Sequence, residues 1–189
     1  NSNKESPKLK DLNSGDSIGN RLIAIGKYER AMLRYMRTTF IHGEKVLSIV
    51  LDEARKRFCE WKQADNIMKS LVRCDIDEET YPKLYETFIG RISNDIFHSI
   101  PDSLSARLDS AKFDQMSAMN KMAILFFIMC TEIGPMNLGD QSAVQKLVSD
   151  GPNQETTPYA VAWNKWNGLA VYALSNDLIA PMHMALGVR

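Results

Sequence analysis

The sequence predicts an all-α protein. We expect a flexible polar arm at residues 1–16 and a single compact helical domain at 17–189, with about seven helices around a buried central helix at about 113–132. Apolar residues recur at three- and four-residue steps through most of the chain, which is the period of an amphipathic helix. Stretches that alternate with period two are missing, and no Asn-Gly or Asp-Gly turn joins two β-branched runs. With 189 residues, of which 44% are hydrophobic, the chain is long enough to bury a core.

Two helices are predicted after the polar arm. Asp16 or Ser17 is the expected N-cap of the first helix, and Gly43 is its expected end. Its apolar face is one line of residues at helical spacing: Ile18, Leu22, Ile25, Met32, Met36 and Phe40. The second helix is predicted over residues 44–62, and a continuation toward residue 73 is left open.

Charge and proline mark the start of the next predicted helix. Four acidic residues lie within positions 75–79, just before Pro82. Acidic side chains stabilise the positive end of the helix dipole, and proline is tolerated in a first turn. This helix is predicted to end before Pro101, and a short helix is expected at 102–108.

The second half of the central helix is apolar nearly all round, in particular at residues 122–130. A helix of this kind is normally buried, so the others are expected to pack on it. Gly134-Pro135 ends it. A short helix at 140–149 and a long helix at 158–174 follow, and the apolar tail from Asp177 is expected to pack rather than extend into solvent.

The sequence is typical of a soluble cytoplasmic protein. Its three cysteines are widely spaced and form no CxxC pair, so reduced thiols in a reducing compartment are expected. The first residues are polar, and we expect no signal peptide. The apolar run at 122–130 is far shorter than the ~20 residues of a bilayer span, so no membrane partner is expected.

Two short motifs resemble catalytic signatures, and each lacks the partners that its chemistry needs. Residues 15–19 match the GxSxG of a nucleophile elbow, but the sequence before them is too polar for the buried strand that carries such a serine. His42-Gly43-Glu44 matches the HxE of zinc deaminases without their PCxxC. We therefore predict no catalytic residue, no metal site and no cofactor, and the chain is not expected to be an enzyme. His98 near Asp95 or Asp102 is the sequence-local pair on which an enzyme alternative would rest.

The neutral total charge conceals two segments of opposite charge. Residues 1–73 hold 15 Lys and Arg against 9 Asp and Glu, a net of +6, whereas residues 74–189 hold 8 against 14, a net of −6. Such a chain can associate head to tail, so a homo-oligomer is one expectation. The basic segment is where an anionic partner would bind.

A basic stripe follows the first predicted helix. Lys27, Arg30, Arg34 and Arg37 step by three, four and three residues, so at 100° per residue they span about 80° of the helix, opposite its apolar face. Within this helix only Glu29 is acidic. Guanidinium groups bind phosphate oxygens bidentately, so the stripe suits a nucleic-acid backbone.

The second predicted helix extends this candidate surface with Arg55, Lys56, Arg57 and Lys62. Arg55, Lys62 and Lys69 repeat every seven residues and would share one exposed line if the helix were continuous. The alternative for both helices is a solvated face, or a face neutralised by the protein's own acidic segment.

An aromatic set, Tyr159, Trp163 and Trp166, lies on one face of the last long helix. Stacking of unpaired bases on these rings is the functional interpretation. The surrounding apolar residues instead favour core packing.

These features favour a nucleic-acid-binding protein, with RNA preferred over DNA, of a nucleoprotein-like or transcription-accessory kind. It would bind the phosphate backbone through the basic helix face rather than read bases. The alternative is a helical protein–protein interaction or regulatory module that binds an acidic protein surface without catalysis. Salt dependence separates the two, because phosphate contacts weaken steeply with salt and apolar hot spots do not.

Overall fold

The computed structural model describes residues 6–9, 16–69, 72–77, 86–108, 110–133, 138–153 and 158–188. All regular secondary structure within these ranges is helical, which confirms the predicted all-α class. The helices described are α1 (Ile18–Thr39), α2 (Gly43–Gln63), α3 (Asn66–Lys69), α4 (Glu86–Phe97), α5 (Asp102–Ser105), α6 (Ser110–Gln115), α7 (Ala118–Ile133), α8 (Leu138–Ser149), α9 (Tyr159–Ser175) and α10 (Pro181–Gly187). None of these is both long enough and apolar enough to cross a membrane.

The central helix predicted at 113–132 is divided into two helices. Helix α6 ends at Gln115 and α7 begins at Ala118. Ser117 separates them, because its hydroxyl accepts hydrogen bonds from the backbone N–H of Asn120 at 3.4 Å and from the side-chain amide of Asn120 at 3.0 Å. A serine in this position is an N-cap, and it starts a new helix inside a sequence whose apolar pattern is continuous.

Inter-residue contacts group the chain into two compact units. The first comprises Asn1–Asp11 and Tyr28–Glu132, and the second comprises Leu12–Lys27 and Ile133–Arg189. Helix α1 therefore contributes residues to both. The domain boundaries drawn from the sequence stay a prediction.

Helix α7 supplies much of the core of the first unit, as its composition predicts. Its side chains Met122, Phe126 and Met129 are at most 1% exposed. Side chains of α1, α2 and α4 that are buried to the same degree in this unit are Met32, Met36, Leu47, Val50, Ala54, Ile92 and Ile96. The Phe126 ring centroid lies 6.2 Å from that of Tyr28, whose hydroxyl is hydrogen-bonded to Ser99.

Part of the polar arm belongs to the first unit. Leu9 is buried, and its backbone N–H donates a hydrogen bond to the Ser99 carbonyl at 2.8 Å. Residues 1–5 and 10–15 of the arm lie outside the described residues. Apolar burial and one backbone hydrogen bond hold residue 9 within a segment that the polar composition predicts to be flexible.

In the second unit, α10 packs closely on α8 and α9. The Trp166 indole N–H donates to the Val148 carbonyl at 2.9 Å. A Cβ atom at Gly187 would lie 2.1 Å from that carbonyl oxygen and 2.7 Å from the Trp166 ring, so a larger residue does not fit there. Gly151 has a φ of 80°, and a Cβ atom on it would lie 2.4 Å from the Gly187 carbonyl oxygen.

The predicted packing of the apolar tail is confirmed in part. Leu178 and Ile179 are buried, whereas Met182 and Leu186 are 64% and 41% exposed. These two side chains belong to the short helix α10, which packs on its neighbours through Gly187.

The three cysteines form no disulfide bond, and the thiol of Cys74 is partly buried. Burial raises its pKa to about 12, and the Glu53 carboxylate adds to the effect. Because the thiolate is the nucleophile, we expect Cys74 of the folded protein to react with iodoacetamide at pH 8 about a thousandfold more slowly than after unfolding, where a thiol pKa is near 8.5. Mass spectrometry of the labelled peptides measures this ratio, and equal rates in the two states would contradict it.

Candidate nucleic-acid interface

Helix α2 and the part of α1 from Tyr28 onward form an antiparallel hairpin. Near the turn, Nε of Arg37 donates to the Glu44 carboxylate at 2.6 Å. Farther along, Nη2 of Arg55 donates to the Glu29 carboxylate at 2.8 Å. Residues near the end of α1 thus pair with residues near the start of α2, and residues earlier in α1 pair with residues near the end of α2. This pattern shows that the two helices run antiparallel.

Every acidic side chain of α1 and α2 forms an ion pair with an arginine of the hairpin. The pairs are Glu44 with Arg37, Glu29 and Asp52 with Arg55, and Glu53 and Glu60 with Arg57. Three arginines therefore hold all five carboxylates of these helices.

The remaining basic residues of the two helices have no carboxylate partner within the part of the chain that the structure describes. These seven residues are Arg21, Lys27, Arg30, Arg34, Lys45, Lys56 and Lys62. The two helices contain ten Lys and Arg against five Asp and Glu, a net of +5. The excess positive charge is thus concentrated on side chains that are not used in ion pairs.

Four of these cations lie on the solvent face of the hairpin in the first unit. We call Arg30 and Arg34 of α1 with Lys45 and Lys56 of α2 the basic surface. Arg34 and both lysines are exposed, and Arg30 is half-buried. Lys45 and Lys56 are eleven residues apart, about three turns, so they share a side of α2 about 16 Å apart along its axis. Asp52 is the acidic residue on this side, and it lies 3.8 Å from Arg55.

Half of the predicted nucleic-acid-binding residues have neither a carboxylate nor an aromatic partner in the described chain and face solvent at least in part. They are Lys27, Arg30, Arg34 and Lys56. Lys27 is exposed and belongs to the segment of α1 assigned to the second unit.

The other half are engaged by neighbouring side chains, and this set comprises Arg37, Arg55, Arg57 and Lys62. The first three form the ion pairs described above, and Nζ of Lys62 lies 5.1 Å from the Phe58 ring centroid. The line through Lys69 does not form, because α2 ends at Gln63 and Lys69 instead lies 4.7 Å from the Trp61 ring centroid. Lys45 was not predicted. The eleven-residue spacing between Lys45 and Lys56 could have indicated that both lie on the same side of α2.

Glu29 and Arg55 form a buried ion pair at the seam of the hairpin. Burial raises the pKa of the Glu29 carboxyl, and the Arg55 charge and hydrogen bond offset only part of this effect. The folded protein therefore holds this proton more tightly than the unfolded chain does. As pH rises from the ordinary glutamate pKa near 4.3 through the raised value, the contribution of Glu29 to stability declines.

A Glu29→Gln variant tests this pH dependence, because glutamine keeps the shape and does not ionise. We expect the free energy of unfolding of the native protein, relative to that of the variant, to fall as pH rises from 4 to 8. Urea unfolding across this range measures the difference. A difference that instead grows with pH would show that Arg55 lowers the pKa of Glu29 below its ordinary value.

The described residues bring together no group of three or more His, Cys, Asp or Glu that could hold a metal ion.

Asp95 accepts a hydrogen bond from the Tyr35 hydroxyl at 3.0 Å, and His98 packs edge-on against the Phe97 ring. The hydroxyl of Ser17 accepts from the backbone N–H of Asn20 at 3.3 Å, so it caps α1 as predicted. The expectation that the chain is not an enzyme stays a prediction.

The aromatic set of α9 is only partly buried. Trp166 is 5% exposed and Trp163 is half-buried, so core packing is confirmed at this end. Tyr159 is 57% exposed, and the prediction of core packing is wrong there. Its ring stacks on Trp163 with the centroids 6.0 Å apart.

Comparisons of this chain with known protein families, with curated proteins and with solved structures found no match.

Proposed function

We propose that the protein binds the phosphate backbone of RNA through the basic surface. The observation that carries the proposal is the distribution of ion pairs on the hairpin. All five carboxylates of α1 and α2 are held by three arginines, while the four cations of the basic surface have no carboxylate partner among the described residues. Cations that form no ion pair within the fold remain available to attract an external polyanion.

The basic surface suits a backbone contact rather than base recognition. Its two arginines supply planar forks that match phosphate oxygens, and its two lysines supply flexible point charges. No hydrogen bond within the described chain fixes the orientation of these four side chains, so we do not expect them to select a base sequence. Binding would be electrostatic, fast and tolerant of sequence.

Lysine footprinting with a single-stranded RNA tests the proposed surface. Bound RNA should slow the acetylation of Lys45 and Lys56, while Lys146 and Lys165, which are exposed on the second unit, should react at unchanged rates. Mass spectrometry of the acetylated peptides gives all four rates in one experiment, and the second pair serves as an internal control. Equal protection of all four lysines, or protection of none, would contradict the proposal.

The alternative partner is an acidic protein surface. A polyglutamate peptide of the same total charge as the RNA provides the comparison. The RNA proposal expects the peptide to compete poorly, because a polyglutamate chain spaces its carboxylates differently from the phosphates of RNA. Displacement of RNA by the peptide at equal charge concentration would favour a protein partner.

A further inference from the structure

The first unit contains a cavity of about 390 Å³ where one face of α4 meets α6 and the start of α7. Pockets for small molecules measure about 300–1,000 Å³, so this one is at the lower end of the range and suits a single small ligand. Its lining includes Asn94 and Arg91, which are exposed, so the cavity opens to solvent.

Gly90 leaves this cavity open. It lies in the interior of α4, where glycine is less favourable than any residue except proline. Packing does not require it, because a Cβ atom at this position would meet no other atom within 4 Å. The open space beside Gly90 adjoins the cavity, because Gly90 is one of the residues that line it.

The walls of the cavity combine aromatic rings with positive charge. The rings of Phe97 and Phe113 lie 5.6 Å apart, tilted by 32°, and Nζ of Lys121 lies 5.4 Å from the Phe113 centroid. Arg91 is held 5.8 Å from the Phe40 ring centroid. Neither cation pairs with a carboxylate within the described ranges, and Asp114 is the acidic residue of the lining.

We infer that this cavity binds a nucleoside monophosphate unit. The aromatic wall would contact the base, the Asn94 amide offers both a donor and an acceptor to the base edge, and Arg91 with Lys121 would hold the phosphate. No residue of the basic surface takes part, so the inference goes beyond the proposed function and does not depend on it. The unit is either a free nucleotide or the terminal nucleotide of an RNA strand.

Isothermal titration calorimetry of the full chain tests this inference. The ligands are AMP, GMP, CMP and UMP, and separately inorganic phosphate and adenosine. We expect at least one nucleotide to bind at least about tenfold more tightly than phosphate or adenosine alone, because ring and anion contacts contribute together. A trinucleotide with a terminal phosphate distinguishes the sources. Tighter binding of the trinucleotide identifies a strand terminus, and tighter binding of the mononucleotide identifies a free nucleotide.

Variants at Gly90 locate the site. A Gly90→Leu side chain would occupy part of the cavity, and we expect it to weaken nucleotide binding at least about tenfold. The matched control Gly90→Ala favours the helix and fills far less space, so it should bind more tightly than Gly90→Leu and should be at least as stable as the native protein. An R91Q/K121Q variant removes the anion contacts without occupying the cavity, and it should also lose at least about tenfold in affinity. This second variant keeps the test valid if Gly90→Leu misfolds.

Three results would overturn the inference. The native protein could bind no nucleotide, or it could bind inorganic phosphate with the same affinity as every nucleotide. A folded Gly90→Leu or R91Q/K121Q variant could also keep the nucleotide affinity of the native protein. An R30E/R34E variant separates the two proposals, since it should keep nucleotide binding even if RNA binding through the basic surface is lost.

Discussion

An R30E/R34E variant is expected to lose about two orders of magnitude or more in affinity for a single-stranded RNA at low salt. Essentially all sequence-independent affinity for nucleic acid comes from the neutralisation of phosphates by cations. The double change removes two of the four cations of the basic surface and places two negative charges beside the remaining lysines. Fluorescence anisotropy of a labelled RNA of about 20 nucleotides measures the loss, and circular dichroism checks that the helices are retained.

The matched control is K146E/K165E. It makes the same change in net charge at two exposed lysines of the second unit, and it should bind RNA nearly as tightly as the native protein does. Arg37 is left unchanged in the test variant, because its reversal would place two carboxylates together at Glu44. If the test and control variants lost affinity equally, only the total charge would matter and the basic surface would not be the site.

Truncation of Phe126 to alanine is expected to cost about 3–5 kcal/mol of unfolding free energy, because the change removes a large buried ring and leaves a cavity. Phe126 is 1% exposed at the centre of α7 and lies against Tyr28, so the space is enclosed on more than one side. For a chain of this size the loss corresponds to a fall in Tm of roughly 10 °C. Urea unfolding followed by far-ultraviolet circular dichroism measures the free energy.

Ile124→Ala on the same helix is the control for this core truncation. Ile124 is half-buried, so its truncation should cost about 1–2 kcal/mol. Equal losses in the two variants, or a loss below about 1 kcal/mol for Phe126→Ala, would mean that α7 is not the packing centre of the first unit.

The longer helices of this protein could be predicted from the sequence because apolar spacing is a local property, but the described residues form ten helices where about seven were predicted. The face of α1 through Met32 and Met36 is buried as its spacing predicts, and so is α7. The break between α6 and α7 was missed because a single hydroxyl, that of Ser117, decides it while the apolar pattern continues. The burial of Leu9 was missed because it depends on a hydrogen bond to Ser99, which is distant in the sequence.

The candidate interface shows the same division between local and distant information. The stripe on α1 is visible in its three- and four-residue steps, and Arg34 is exposed as the stripe requires. The engagement of Arg37 and Arg55 was not visible, because their partners Glu44 and Glu29 lie on the neighbouring helix. Ion pairs across a hairpin depend on which edges of two helices meet, and helix periodicity alone does not specify those edges.

The most direct test of RNA binding by the basic surface is the dependence of RNA affinity on salt concentration. Single-stranded nucleic acid gives a slope of about −0.7 in log affinity against log salt for each phosphate neutralised, so the four cations of the basic surface predict a slope of about −3. The native protein should show that slope, and R30E/R34E should show a slope nearer zero together with weaker binding. No binding of RNA at low salt, or tight binding that does not change with salt, would contradict the account.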